Sequence, residues 1–147
     1  MGVSTDAILF FGYCWEEENE PFTEVENFKD PDFYVDNFIL QKYGFRPKPE
    51  EVYGTDPSKA DEWSAYWKEK HVFLDSLPEI IHHCHCSHVM YGIAMRGTKI
   101  NAHRGYPKEA VFTHSADMES SLKEFCEKLG IKPQDQPKWW LVSYADF

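Results

Sequence analysis

The stretch Thr5 to Trp15 (TDAILFFGYCW) constrains the fold more than any other part of the chain. Its residues are almost all apolar, aromatic or β-branched, with Gly12 as the interruption. A run that is apolar at both odd and even positions has no polar face to turn to water. It therefore predicts a central strand, flanked on both edges, which ends at Glu16.

Such a strand needs apolar material above and below it. The 147 residues are 42% hydrophobic and 16% aromatic, enough for one real core and too much for a disordered chain. A chain of this length predicts a single domain, residues 1–147. Each ring removes roughly 150–250 Å² from water, so a few of the 24 aromatic side chains can stabilise a small fold.

Two helices announce themselves by their starts. Asp30-Pro31 supplies a capping carboxylate and a first-turn proline, followed by Tyr34, Val35, Phe38, Ile39 and Tyr43 at helical spacing and a Gly44 stop. Pro47 and Pro49 then make residues 46–50 an extended linker. Asp56-Pro57 repeats the start signal, and Ala60, Trp63, Trp67, His71 and Leu74 form a stripe expected to face the core. A third helix is capped by Ser115, carries Met118, Leu122, Phe125 and Leu129 as its apolar stripe, and stops at Gly130.

The rest reads as strands. Residues 79–86 and 88–95 form two strands turning near Ser87. Arg96-Gly97 is expected to be a tight hairpin turn into residues 98–103, and Lys138 to Tyr144 is the last strand. The order β, α, α, β, β, β, α, β lacks regular β–α–β alternation. It predicts an α+β fold, a mostly antiparallel sheet of about five strands with helices packed on one face.

Charge narrows the function classes. Twenty-five acids against 15 bases give a formal charge of −10, which excludes a protein that coats nucleic acid and favours a partner with a basic surface. Nine of the acids fall between residues 16 and 36 against one base, Lys29. Glu16, Glu17, Glu18, Glu20, Glu24, Glu26, Asp30 and Asp32 are the candidate partner-binding carboxylates, with Phe22, Val25 and Phe28 as apolar anchors between them. A solvated loop pinned by those aromatics is the plainer expectation. No run approaches the ~20 apolar residues of a membrane span, and the N-terminus lacks the basic region of a signal peptide.

The densest chemistry is His82, His83, Cys84, His85, Cys86 and His88. In a strand His82, Cys84, Cys86 and His88 share one face, with His83 and His85 on the other. Zinc takes about four His or Cys ligands in a tetrahedron, which a flat row cannot supply alone. His82, Cys84 and Cys86 are the candidate metal ligands, with Cys14, His103, His114 or Cys126 as donors from elsewhere. A thiol-dependent enzyme centred on Cys86 is the related alternative. Asp6, Cys86, Arg104 and Tyr106 are a candidate pocket at a sheet end, where Asp6 can meet Arg104 or His103. The chain has no P-loop, GxSxG elbow, GxGxxG fingerprint or HExxH pair.

Several short strings recur together: Gly2-Val3-Ser4-Thr5-Asp6-Ala7-Ile8-Leu9-Phe10-Phe11-Gly12, then His85-Cys86-Ser87 with Met90-Tyr91, Arg96-Gly97-Thr98, Arg104-Gly105-Tyr106-Pro107 and Pro137-Lys138-Trp139-Trp140-Leu141. In this ordered set the chain resembles a family of small proteins encoded by bacteriophages and prophages. His88-Val89 departs from that family's pattern, and His82, His83 and Cys84 are local to this chain. The resemblance implies a phage origin and expression in the cytoplasm of a bacterial host cell. At the level of class, it implies an accessory protein that binds and inhibits a host protein, such as a nucleic-acid-binding defence component of the CRISPR–Cas or restriction type. No catalytic residue and no cofactor comes with it. A homodimer built on exposed Trp139 or Trp140 is a further expectation.

Overall fold

The computed structural model describes residues 4–16, 21–22, 25, 34–49, 57–85 and 88–146, with the backbone alone at residues 4, 5, 84, 85, 88, 89 and 144–146. Five strands and three helices follow one another in the expected order. They are β1 (Ser4–Cys14), α1 (Val35–Lys42), α2 (Pro57–Asp75), β2 (Glu79–His85), β3 (His88–Ala94), β4 (Ile100–Ala102), α3 (Ala116–Leu129) and β5 (Lys138–Asp146). The architecture is α+β, with every strand pairing antiparallel.

β1 is the axis of the sheet, as its two-sided apolar pattern requires. β5 pairs along one edge from Ser4↔Asp146 to Gly12↔Lys138. The other edge is shared: β3 pairs Gly12–Cys14 and β4 pairs Ala7–Leu9. β2 pairs the far edge of β3 through the register Glu79↔Ala94 to His85↔His88. The sheet curls until β2 approaches β5.

Both edges of β3 are therefore occupied, so β4 cannot fold back on it. The expected hairpin at Arg96-Gly97 is corrected to a jog: the chain turns there, with Gly97 at φ +89°, and resumes in the same direction along the same edge of β1. Thr98 closes the gap that the jog leaves. The Phe11 N–H donates to the Thr98 hydroxyl at 3.1 Å, which donates in turn to the Met95 carbonyl at 2.6 Å. The Met95 N–H donates to the Phe11 carbonyl at 2.7 Å. A buried side chain thus does the work of a ladder carbonyl.

Two cores result, one on each face of β1. Toward the helices, Phe11, Tyr13 and Trp15 pack with Phe22, Phe38, Ile39, Ile93, Leu122, Phe125 and Leu129. Inside the curl, Phe10, Ile81 and Ala94 pack with Ile8, Cys14, Trp140 and Val142. Gly12 sits where strands crowd: a Cβ there would lie 1.9 Å from the Ile93 carbonyl oxygen. The Trp140 indole donates to the Gly12 carbonyl at 3.0 Å.

The helices follow their sequences unevenly. α3 is as read: the Ser115 hydroxyl accepts from the Met118 N–H, and Gly130 ends the helix at φ +74°. α1 begins later than Asp30-Pro31, because Tyr34 is still extended (φ −117°, ψ +123°); that dipeptide lies outside the described residues. In α2 the stripe is displaced. Ala60, Trp67 and His71 are exposed, and the buried residue is Tyr66. Phe45 explains this: it follows Gly44 back across α2 and stacks on Phe73 (5.1 Å) and against Tyr66 (6.0 Å). Cations cover the remaining rings, with Arg46 over Tyr66, Lys48 over Trp63 and Lys70 over Trp67. Arg96 on the jog donates to the Leu77 and Leu74 carbonyls at 2.8 and 3.1 Å, tying the end of α2 to the sheet.

Thr98→Val keeps the shape of the side chain and removes the acceptor of the buried Phe11 N–H. Urea denaturation is expected to show a loss of about 1–3 kcal/mol, the usual cost of an orphaned buried donor, with Thr98→Ser retaining most of the stability.

Candidate functional site

The side chains bearing chemistry are distributed over three places rather than gathered in one. Inside the curl, Cys14 at the end of β1 faces His83 of β2 across β3, with Sγ 3.6 Å from Nε2. The register explains the meeting. Cys14 and Ile81 both align with Gly92, whose missing side chain admits the Phe10 ring over β3, and His83 lies two residues beyond Ile81 on the same face.

The environment of this pair sets its protonation. Burial pushes the Cys14 thiol up to about 11; the Trp15 backbone N–H lowers it, and the Glu16 charge raises it further. Burial also pulls His83, only 7% exposed, below its ordinary value of 6.5. Both groups are neutral at pH 7, so the contact is a thiol–imidazole hydrogen bond and not an ion pair. Cys126, buried under α3, is pushed up to about 12. Among the described residues with placed side chains, no cysteine is a thiolate at neutral pH, which removes the usual basis of thiol catalysis there.

Of the predicted metal set, His82 alone has a described side chain. His82 and His83 alternate as a strand demands, and His82 lies on the helix-side face, its ring edge-on to Tyr91 at 5.1 Å. Cys86 and the side chain of Cys84 lie outside the described residues. Among the described residues, no three His, Cys, Asp or Glu side chains converge as ligands. His83 with Cys14 went unrecognised because only the strand register brings them together across 69 positions.

The predicted pocket is described only in part. Asp6 lies within β1 and meets His103, with Oδ2 3.0 Å from Nδ1. Arg104 and Tyr106 are exposed beside it on a turn in which Gly105 takes φ +80°. Cys86 is outside the described residues. Asp6, Arg104 and Tyr106 share a sheet end. A shallow groove of about 440 Å³ lies elsewhere, on α2, lined by Lys68, Glu69, Val72, Phe73 and Ser76.

Of the acidic stretch, Glu16 and Asp36 are described and both are exposed. Glu17, Glu18, Glu20, Glu24, Glu26, Asp30, Asp32 and Phe28 lie outside the described residues. Phe22 is corrected from partner anchor to core residue. It is 0% exposed, edge-on to Tyr91 (5.3 Å) and Phe38 (6.1 Å), and fills the space between β3 and α1. Val25 packs on the same cluster.

Sequence patterns did not reveal the apolar surface at residues 106–112. Tyr106, Val111, Phe112 and Leu141 are large and more than 60% exposed. Phe112 stands edge-on to Trp139 at 5.4 Å, and His114 stacks on Phe11 at 4.4 Å. Trp139 and Trp140 are half-buried on opposite faces of the sheet. The Trp139 indole N–H is buried without an acceptor among the described residues.

Among the described residues, no helix is long and apolar enough to cross a membrane. Comparison of the chain with known protein families, with curated proteins and with solved structures found no match to any of them.

Two outcomes follow from the protonation states. Thiolate-specific labelling of the native protein is expected to be slow at Cys14 at pH 7 and to accelerate about tenfold per pH unit toward pH 11, since the rate follows the thiolate fraction; peptide mapping reads the site. His82 and His83 both titrate lower in the fold than the ordinary 6.5, so the unfolded chain takes up their protons first. Their contribution is full above pH 6.5 and is lost as the pH falls through it. Chemical denaturation from pH 7.5 to 5 is expected to show falling stability, with a shallower slope in His83→Gln.

Proposed function

We propose that this chain is a non-enzymatic binding protein that engages a host protein through its acidic surface. The proposed partner carries a basic, nucleic-acid-binding groove, in which the carboxylates compete with phosphates. The resemblance to phage and prophage proteins supports a partner among bacterial defence components.

The observation that carries this reading is the way the acidic stretch is attached. Phe22 and Val25 are committed to the core, while Glu16 and Asp36 at its two ends face solvent. Phe22 and Val25 therefore fasten the stretch to the core and are not held in reserve for a partner. A partner's recognition of the stretch then rests on charge, which speeds association and makes binding strongly salt-dependent. Apolar contact area is supplied instead by the exposed Val111, Phe112 and Leu141.

Affinity capture from a bacterial host lysate, followed by binding assays on the recovered protein, tests this. Replacing Glu16, Glu17 and Glu18 together by Lys is expected to weaken binding at least tenfold at 0.15 M salt, and the intact protein to displace DNA or RNA from the partner. Binding that ignores both charge reversal and salt would overturn the proposal.

A further inference from the structure

We infer that the uncovered end of the sheet's helix-side face is a self-association surface, on which a second copy of this chain docks about a two-fold axis. Val111, Phe112 and Leu141, which the proposed function lends to a host protein, lie in it, so the two contacts exclude each other. Self-association itself stands without the host protein.

Register puts the surface together. On the helix side of β1, Phe11, Tyr13 and Trp15 enter the core formed with α1 and α3. Leu9 and Ala7 point the same way, since alternate residues of a strand share a face. Pairing sets Ile100, Leu9 and Leu141 in one row across β4, β1 and β5, and Ala102, Ala7 and Ser143 in the next. Among the described residues, Leu9, Ile100 and Leu141 join neither core. Leu141 is 72% exposed. Val111 and Phe112, 63% and 62% exposed, extend the surface where Phe112 meets Trp139, two residues from Leu141 along β5.

Relief favours a second copy. A tall aliphatic row lies beside a low row of two alanines and a serine. A two-fold axis running between the rows sets the tall row of each copy over the low row of the other, Leu9 on Ala7 and Leu141 on Ser143. That is the self-complementarity an isologous contact requires. Face-to-face sheets pack about 10 Å apart by such interdigitation.

Charge and area agree with this occupant. The rows are uncharged, and residues 98–112 beside them hold one acid, Glu109, against Lys99, Arg104 and Lys108. The face thus escapes the acid excess that makes two chains of charge −10 repel. Roughly 400–500 Å² of apolar side chain is open on each copy, so a pair covers about 900 Å² before its polar rim is counted. With the rim this reaches the low end of the ~1,200–2,000 Å² of specific interfaces, which makes the dimer a reversible one.

Sedimentation equilibrium of the purified full-length protein, from about 1 to about 200 μM and at about 0.05 and 0.5 M salt, is the test. A monomer–dimer equilibrium is expected, and it tightens with salt as self-repulsion is screened. Host binding through the acidic surface weakens with salt, so the two associations are told apart. Leu141→Lys, which brings like charges into the contact, should raise the dissociation constant about tenfold or more. Phe112→Ser should raise it several-fold, and Val72→Lys, on the exposed side of α2, should leave it unchanged. A monomer at the highest concentration leaves the face to a different protein and overturns the inference. So does a dimer that survives Leu141→Lys, or one that is lost in Val72→Lys. Circular dichroism checks that the variants fold. Should Leu141→Lys fail to fold, an unchanged constant in Phe112→Ser overturns the surface by itself. Any of these failures leaves the host-protein proposal standing on its own capture experiment.

Discussion

Everything in this fold depends on β1 having no free side. Its outward-pointing groups on one face build the helix-side core, those on the other fill the curl, and its backbone is paired along both edges. Pairing on the second edge is discontinuous, and Thr98 repairs it by offering a hydroxyl to the Phe11 N–H. An unpaired donor at that depth costs about 1–3 kcal/mol, a sizeable share of the ~5–15 kcal/mol that separates folded from unfolded domains. Gly12 serves the same constraint, since a side chain there would collide with the Ile93 carbonyl.

A strand buried on both faces also decides where chemistry can occur. The curl is lined by apolar side chains, so the two titratable groups that reach it, Cys14 and His83, are held neutral. That environment suits a hydrogen bond between neutral groups, and opposes a charged nucleophile–base couple. The His103–Asp6 pair lies near water at the other end of β1. Among the described residues, the molecule separates a dry, neutral interior from a charged exterior.

Local chemistry was legible in the sequence wherever a short-range contact determines the element. The Ser115 cap and Gly130 stop delimit α3, and the nearly continuous apolar run from Thr5 marks a central strand. What depends on partners distant in sequence was not legible. Arg96-Gly97 announces a turn, but only the occupied edges of β3 tell that the chain then continues along β1. The face of α2 was misread because Phe45, outside the helix, selects Tyr66 over Trp67 as the buried ring. Phe22 looked like an anchor for a partner because its acidic neighbours give no sign of the gap it fills between Tyr91 and Phe38. Cys14 and His83 meet through a register that no local pattern encodes.

Native-state amide hydrogen exchange at single-residue resolution tests the central claim, that β1 is held on both edges even where its second edge is broken. The Phe11 amide, bonded to a side chain and to no strand, is the informative one. It is expected to exchange only through global unfolding, as slowly as the best-protected amides of the sheet. Exchange of Phe11 at the rate of an exposed turn such as Gly105, with the rest of β1 protected, would contradict the account.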